Sequence, residues 1–117
     1  MEQEQIFNAA EVLDTFMQNE EAVLALLDQF MERTQTQLDA LPGLEKAGDW
    51  ESARLEAHTI KGAAYTLGGT ELGKAAARLE LAYKENDMKE TEAAFPSLLE
   101  AFGRYKKEAE EFIRSRK

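Results

Sequence analysis

At 117 residues the chain is long enough to bury a sustained core, and one domain over 1–117 is expected. Fourteen basic residues against 23 acidic ones give a formal charge of −9, which disfavours nucleic acid and anionic membrane surfaces as partners. The absence of cysteine excludes a disulfide frame and a thiolate metal site, and one histidine cannot supply the usual zinc set.

No apolar run approaches the roughly 18 residues of a membrane span, and "MEQEQIFNAA" lacks the basic and apolar regions of a signal peptide, so a cytoplasmic chain is expected. Ala, Leu, Glu, Lys and Gln dominate, and the apolar residues recur at threes and fours rather than twos, which predicts an all-α chain. Asn8 and Glu11 stand at capping-box spacing before a short helix over 9–16. Asn19 caps a second helix with Val23, Leu26, Leu27, Phe30, Thr34 and Leu38 on its inner stripe. "LPG" at 41–43 predicts the end of that helix near Leu41, because proline disfavours helix in the residue before it, and a loop then reaches Gly48.

Asp49 caps a third helix whose seam is Trp50, Ala53, Ala57, Ile60, Ala64 and Leu67. "GGT" at 68–70 breaks it, and Thr70 caps a fourth helix with Leu72, Ala76, Leu79 and Tyr83 inside. Asp87 and Glu90 start a last helical stretch carrying Phe95, Leu98, Leu99, Phe102, Tyr105, Ala109, Phe112 and Ile113, with Pro96 expected to kink or divide it. Short loops between long amphipathic helices predict an antiparallel four-helix bundle with the short first helix packed on one end.

The single histidine lies in "EAHTIKGAAYTLGG", residues 56–69. At about 100° per residue His58 points roughly 130° away from the seam of its helix, to solvent. Arg54, Leu55, Lys61, Gly62 and Tyr65 fall within about 60° of it, a mixed basic, apolar and aromatic patch around one imidazole. A lone surface histidine is commonly inert, and Lys61 by itself reads as an ordinary solvated lysine whose stem can also bring an ammonium to a group on His58. Gly62 tips the balance. An interior glycine costs about 1 kcal/mol relative to alanine, so something must need the space: either close packing against a neighbouring helix, for which an outward position is a poor fit, or clearance beside the imidazole.

"AHTIKGAAYTLGGTELGKAAARLE", 57–80, resembles the histidine-containing phosphotransfer (HPt) domain family, whose signature is His, two residues, Lys, Gly, and a glycine ten residues after the histidine. His58, Lys61, Gly62 and Gly68 occupy those places, and "LLDQFMERTQTQLDAL", "AGDWESARLEAH" and "RLE" resemble the flanking helices, so the likeness covers nearly the whole chain. The resemblance implies a carrier without turnover of its own: His58 accepts a phosphoryl group from a receiver aspartate or a histidine kinase and passes it to another receiver. It further implies Lys61 as charge partner of the phosphoryl group and Gly62 as clearance for it and for the docking receiver. Arg54, Leu55 and Tyr65 are then docking residues. The chain itself needs no cofactor, since magnesium belongs to the receiver, and it is expected to act as a monomer.

Tyr65 departs from the family, in which that place is usually small. Its ring could crowd the imidazole, extend the docking surface with Leu55, or bring its hydroxyl near the phosphoryl oxygens; a ring lying on the outer face beside His58 as part of the docking surface is the expectation. The competing function is a phosphate-independent helical-bundle interaction module with Tyr65 blocking His58, but such a module has no use for the His58, Lys61 and Gly62 set. A di-iron carboxylate site fails because Leu55 stands where Glu-x-x-His needs its glutamate and no second histidine exists. Haem ligation fails for want of an apolar pocket on the exposed face.

Overall fold

A computed structural model of the chain describes residues 6–116 and holds five helices: α1 (Ala9–Thr15), α2 (Glu20–Lys46), α3 (Trp50–Thr66), α4 (Thr70–Lys84) and α5 (Met88–Arg116). Helices α2 to α5 form the expected bundle, with α3 packed on α4, α4 on α5, α2 on α3 and, more lightly, α2 on α5; α1 closes one end against α2. Leu27, Leu38, Ile60, Leu72, Leu79, Leu98 and Tyr105 are wholly or almost wholly buried between them. Each such aliphatic side chain is worth roughly 1.5–3 kcal/mol by burial. None of the helices is long and apolar enough to cross a membrane, among the described residues.

Four of the five predicted N-caps form. Side chains of Asn8, Asn19, Asp49 and Asp87 accept hydrogen bonds from the backbone N–H groups of Glu11, Ala22, Ser52 and Glu90, at 3.0–3.1 Å. Only part of each capping box is present: the backbone N–H of Asn8 donates to the Gly68 carbonyl at 2.9 Å, and Glu90 turns its carboxylate to Arg78 at 2.9 Å. The α4 cap is displaced by one residue. Gly69, not Thr70, is the N-cap and makes no side-chain hydrogen bond; a Cβ there would lie 2.8 Å from the Tyr105 ring, so the turn is set by close packing instead of a hydroxyl.

Helix α2 does not stop near Leu41 but runs through Pro42 to Lys46. Tertiary contacts hold the extra turn: Leu41 is fully buried, Leu44 packs against the core, and Glu45 Oε2 accepts a 2.5 Å hydrogen bond from the Tyr83 hydroxyl. The stop lies at Gly48, whose φ of 73° lets the Asp49 N–H reach back to the Leu44 carbonyl at 2.9 Å. Helix α5 is likewise undivided at Pro96, which sits on the exposed side where the carbonyl left without its helical donor is within reach of water. Leu99, expected inside, is 42% exposed because α5 turns Leu98 and Phe102 into the core on either side of it.

Candidate functional site

The seam of α3 is built mostly from small residues. Ala53, Ala57 and Ala64 are fully buried with Ile60, which lets α4 approach closely and turns the opposite face of α3 outward. His58 lies on that outer face with its side chain 57% exposed, as its wheel position predicts. The α3–α4 contact is antiparallel and in register: Tyr65 rests on Gly73, and seven residues back along α3 and seven forward along α4 His58 meets Glu80.

Glu80 organises the site and was missed as a site residue from sequence. Its Oε2 lies 2.8 Å from His58 Nδ1 and its Oε1 2.7 Å from Lys61 Nζ, with its side chain 15% exposed. Arg54 Nη1 stands farther off, at 3.9 Å from Oε2. Burial raises the pKa of Glu80, but the hydrogen bonds from Lys61 and His58, followed by their charges, outweigh it and hold the carboxyl below its ordinary value. An ionised carboxylate only accepts, so Nδ1 must carry the proton it shares with Glu80. In the neutral imidazole the lone pair then sits on Nε2. The only hint of Glu80 in the sequence was its membership of "RLE"; its meeting with His58 depends on the turn between the helices, which periodicity does not encode.

The other expected residues divide. Lys61 comes to His58's partner, its ammonium held on Glu80 one oxygen away from the imidazole contact. Arg54 is directed mainly to Glu51, which it grips through Nε at 3.2 Å and Nη2 at 2.7 Å. Leu55 is 48% exposed. A Cβ on Gly62 would meet nothing within 4 Å, so no neighbouring helix demands this glycine. Tyr65 is 42% exposed, but its ring leans across to α4: a Cβ on Gly73 would lie 2.7–2.9 Å from ring atoms Cε1, Cζ and Cδ1. Gly73 is thus a second residue that the sequence did not single out. Gly68 combines a φ of 76° with close approach, since a Cβ there would fall 2.8 Å from the Asn8 carbonyl oxygen and 2.7 Å from Val12 Cγ2. It is the point where α1 locks onto the α3–α4 turn.

Fold and site together define a helical bundle that presents one imidazole, anchored at Nδ1, on an exposed helix face. The family model of the Hpt domain matches residues 11–111, and the chain belongs to that family of phosphotransfer carriers in two-component signalling. In fold it is similar to the crystal structure of histidine-containing phosphotransfer protein B (HptB) from Pseudomonas aeruginosa PAO1, with 19% identity, a TM-score of 0.85, and coverage of 93% of this chain and 95% of that one. No curated protein matches the chain in sequence.

Proposed function

We propose that His58 is the phosphoryl carrier of a phosphorelay, exchanging the group with the aspartate of receiver domains and accepting it from a histidine kinase. The observation that carries this reading is the 2.8 Å contact between His58 Nδ1 and Glu80 on an otherwise exposed imidazole. In the forward step the Nε2 lone pair attacks the phosphorus of a receiver's aspartyl phosphate. The N–P bond forms, the P–O bond to the aspartate breaks, and the carboxylate leaves with its electron pair. The imidazole acquires positive charge as the bond forms, and the proton on Nδ1 stays against the Glu80 carboxylate, which stabilises that charge. Transfer to the next receiver reverses these movements.

Lys61 is 2.7 Å from Glu80 and one helical turn from His58, so rotation of its flexible stem brings the ammonium to the phosphoryl oxygens. Near a surface that attraction is worth up to about 4 kcal/mol per unit charge at 4 Å, less where water screens it. The open space at Gly62 gives clearance for the phosphoryl group, and Leu55 and Arg54 border the surface that a receiver covers. Magnesium enters with the receiver, whose acidic pocket holds it; this chain supplies the nucleophile and acts as a cytoplasmic, monomeric carrier, not as a turnover enzyme.

The test is incubation with a panel of labelled phospho-receivers from the same genome. Label is expected on the wild-type chain, stable in base and lost in acid as a phosphoramidate requires, and absent from His58→Gln with helical circular dichroism unchanged. A His58→Gln chain that still takes label sinks the assignment, and an unlabelled wild-type chain that still binds receivers is the phosphate-independent interaction module.

A further inference from the structure

Of the six large apolar side chains exposed among the described residues, two, Leu55 and Tyr65, lie on α3 and bracket His58. They differ in how firmly they are held. The Tyr65 ring lies in a notch that exists only because position 73 of α4 has no side chain, with ring atoms where a Cβ would stand at 2.7–2.9 Å. One face of the ring is therefore fixed by α4 while 42% of the residue remains open to solvent. An aromatic side chain seated in this way loses little freedom when a partner covers it, which is what makes such residues dominate binding.

What covers it follows from the carrier reading, on which this inference rests. Any protein that brings a phosphoryl group to His58 Nε2 must lie over the surrounding surface. A standard patch of about 800 Å² is a disc of roughly 16 Å radius, and Tyr65 stands about 10 Å along the helix from His58 at 1.5 Å per residue. It lies inside that footprint, beside Lys61 and Arg54, whose charges are balanced in the free chain by Glu80 and Glu51 and turn to an acidic partner only by leaving those carboxylates. We infer that Tyr65, seated on Gly73, is a specificity-determining residue: a fixed aromatic shelf on the α4 side of His58 against which the apolar rim of the receiver's active-site face docks. The hydroxyl is not required, because the notch grips the ring.

The test is a double-mutant cycle on the full chain, read as binding of unphosphorylated receivers from the panel and, separately, as transfer at saturating receiver. For the receiver that binds best, Tyr65→Ala is expected to weaken binding about tenfold while the transfer rate at saturation is kept, and Tyr65→Phe to bind as wild type. Gly73→Ala, which pushes the ring out of its seat, is expected to weaken binding as well, and the Tyr65→Ala/Gly73→Ala chain to bind no worse than Tyr65→Ala alone. Against a panel, the loss should differ among receivers. Three results overturn the inference: unchanged affinity in Tyr65→Ala, as when the receiver sits instead in the groove between α2 and α3 floored by Leu26, Phe30 and Ala63; tighter binding with faster transfer, which makes the ring a gate; or a uniform loss across all receivers. If Gly73→Ala fails to fold, Tyr65→Ala and Tyr65→Phe still decide. Because binding is measured without phosphate, a chain that never takes label defeats the carrier reading while the role of Tyr65 is read independently.

Discussion

At Gly62 an added Cβ would meet no atom within 4 Å, whereas at Gly68 it would strike Val12 Cγ2 at 2.7 Å and the Asn8 carbonyl oxygen at 2.8 Å. The two glycines are six residues apart, one on the outer face of α3 and the other in the turn that follows it. Gly68 is demanded by the chain's own folding: its φ of 76° turns α3 into α4, and its bare Cα receives α1. Nothing inside the molecule demands Gly62. A helix that forgoes about 1 kcal/mol of propensity with no packing in return points to a requirement met only when something else arrives. The same contrast runs along the α3–α4 contact, which is closed by charge at Glu80 and by shape at Gly73.

Gly68→Ala is the strongest way to break the first comparison. The left-handed backbone costs an alanine roughly 1–2 kcal/mol and the collision with Asn8 and Val12 another 1–3, so urea unfolding should show a loss of about 2–5 kcal/mol. A loss of only about 1–2 kcal/mol, the backbone cost alone, would mean that α1 simply moves aside and that the close approach is incidental.

Gly62→Gln examines the other side. Its Cβ would meet nothing within 4 Å and glutamine favours helix more than glycine does, so stability should be kept, but transfer from a phospho-receiver should fall about tenfold or more as the space beside His58 is filled. Gly62→Ala should instead raise the melting temperature by a few degrees, in line with about 1 kcal/mol of propensity. Normal transfer in the Gln variant makes this glycine a tolerated accident.

The smallest expected effect sharpens the contrast between charge and shape. Glu80 is held below its ordinary pKa of 4.5 because hydrogen bonds from Lys61 and His58 outweigh burial. A carboxylate depressed in the folded state contributes stability above its unfolded value and loses it as pH falls through the folded one. Urea midpoints of wild type and Glu80→Gln should therefore differ above about pH 4.5 and converge below it, while the deficit of Gly68→Ala persists at every pH. A Glu80→Gln difference that does not change with pH would assign Glu80 a packing role alone.

Much of this was legible locally. The caps at Asn8, Asn19 and Asp49, the small-residue seam of α3 and the outward aim of His58 all follow from helical geometry over a few residues, which the covalent chain sets wherever it is read. The HPt signature placed His58, Lys61, Gly62 and Gly68 for the same reason: they share one helix and its turn. Tertiary structure decided what lies across helices. It carried α2 through Pro42, because Leu41, Leu44 and Glu45 found partners. It moved the α4 cap to Gly69, because Tyr105 fills the place of a side chain there. It brought Glu80 under His58 and Gly73 under Tyr65, pairings set by the α3–α4 turn and by how closely two alanine-lined surfaces approach. Spacing along one helix is a property of the backbone, whereas register between two helices is a property of the side chains that keep them apart, and the chemistry around His58 depends on both.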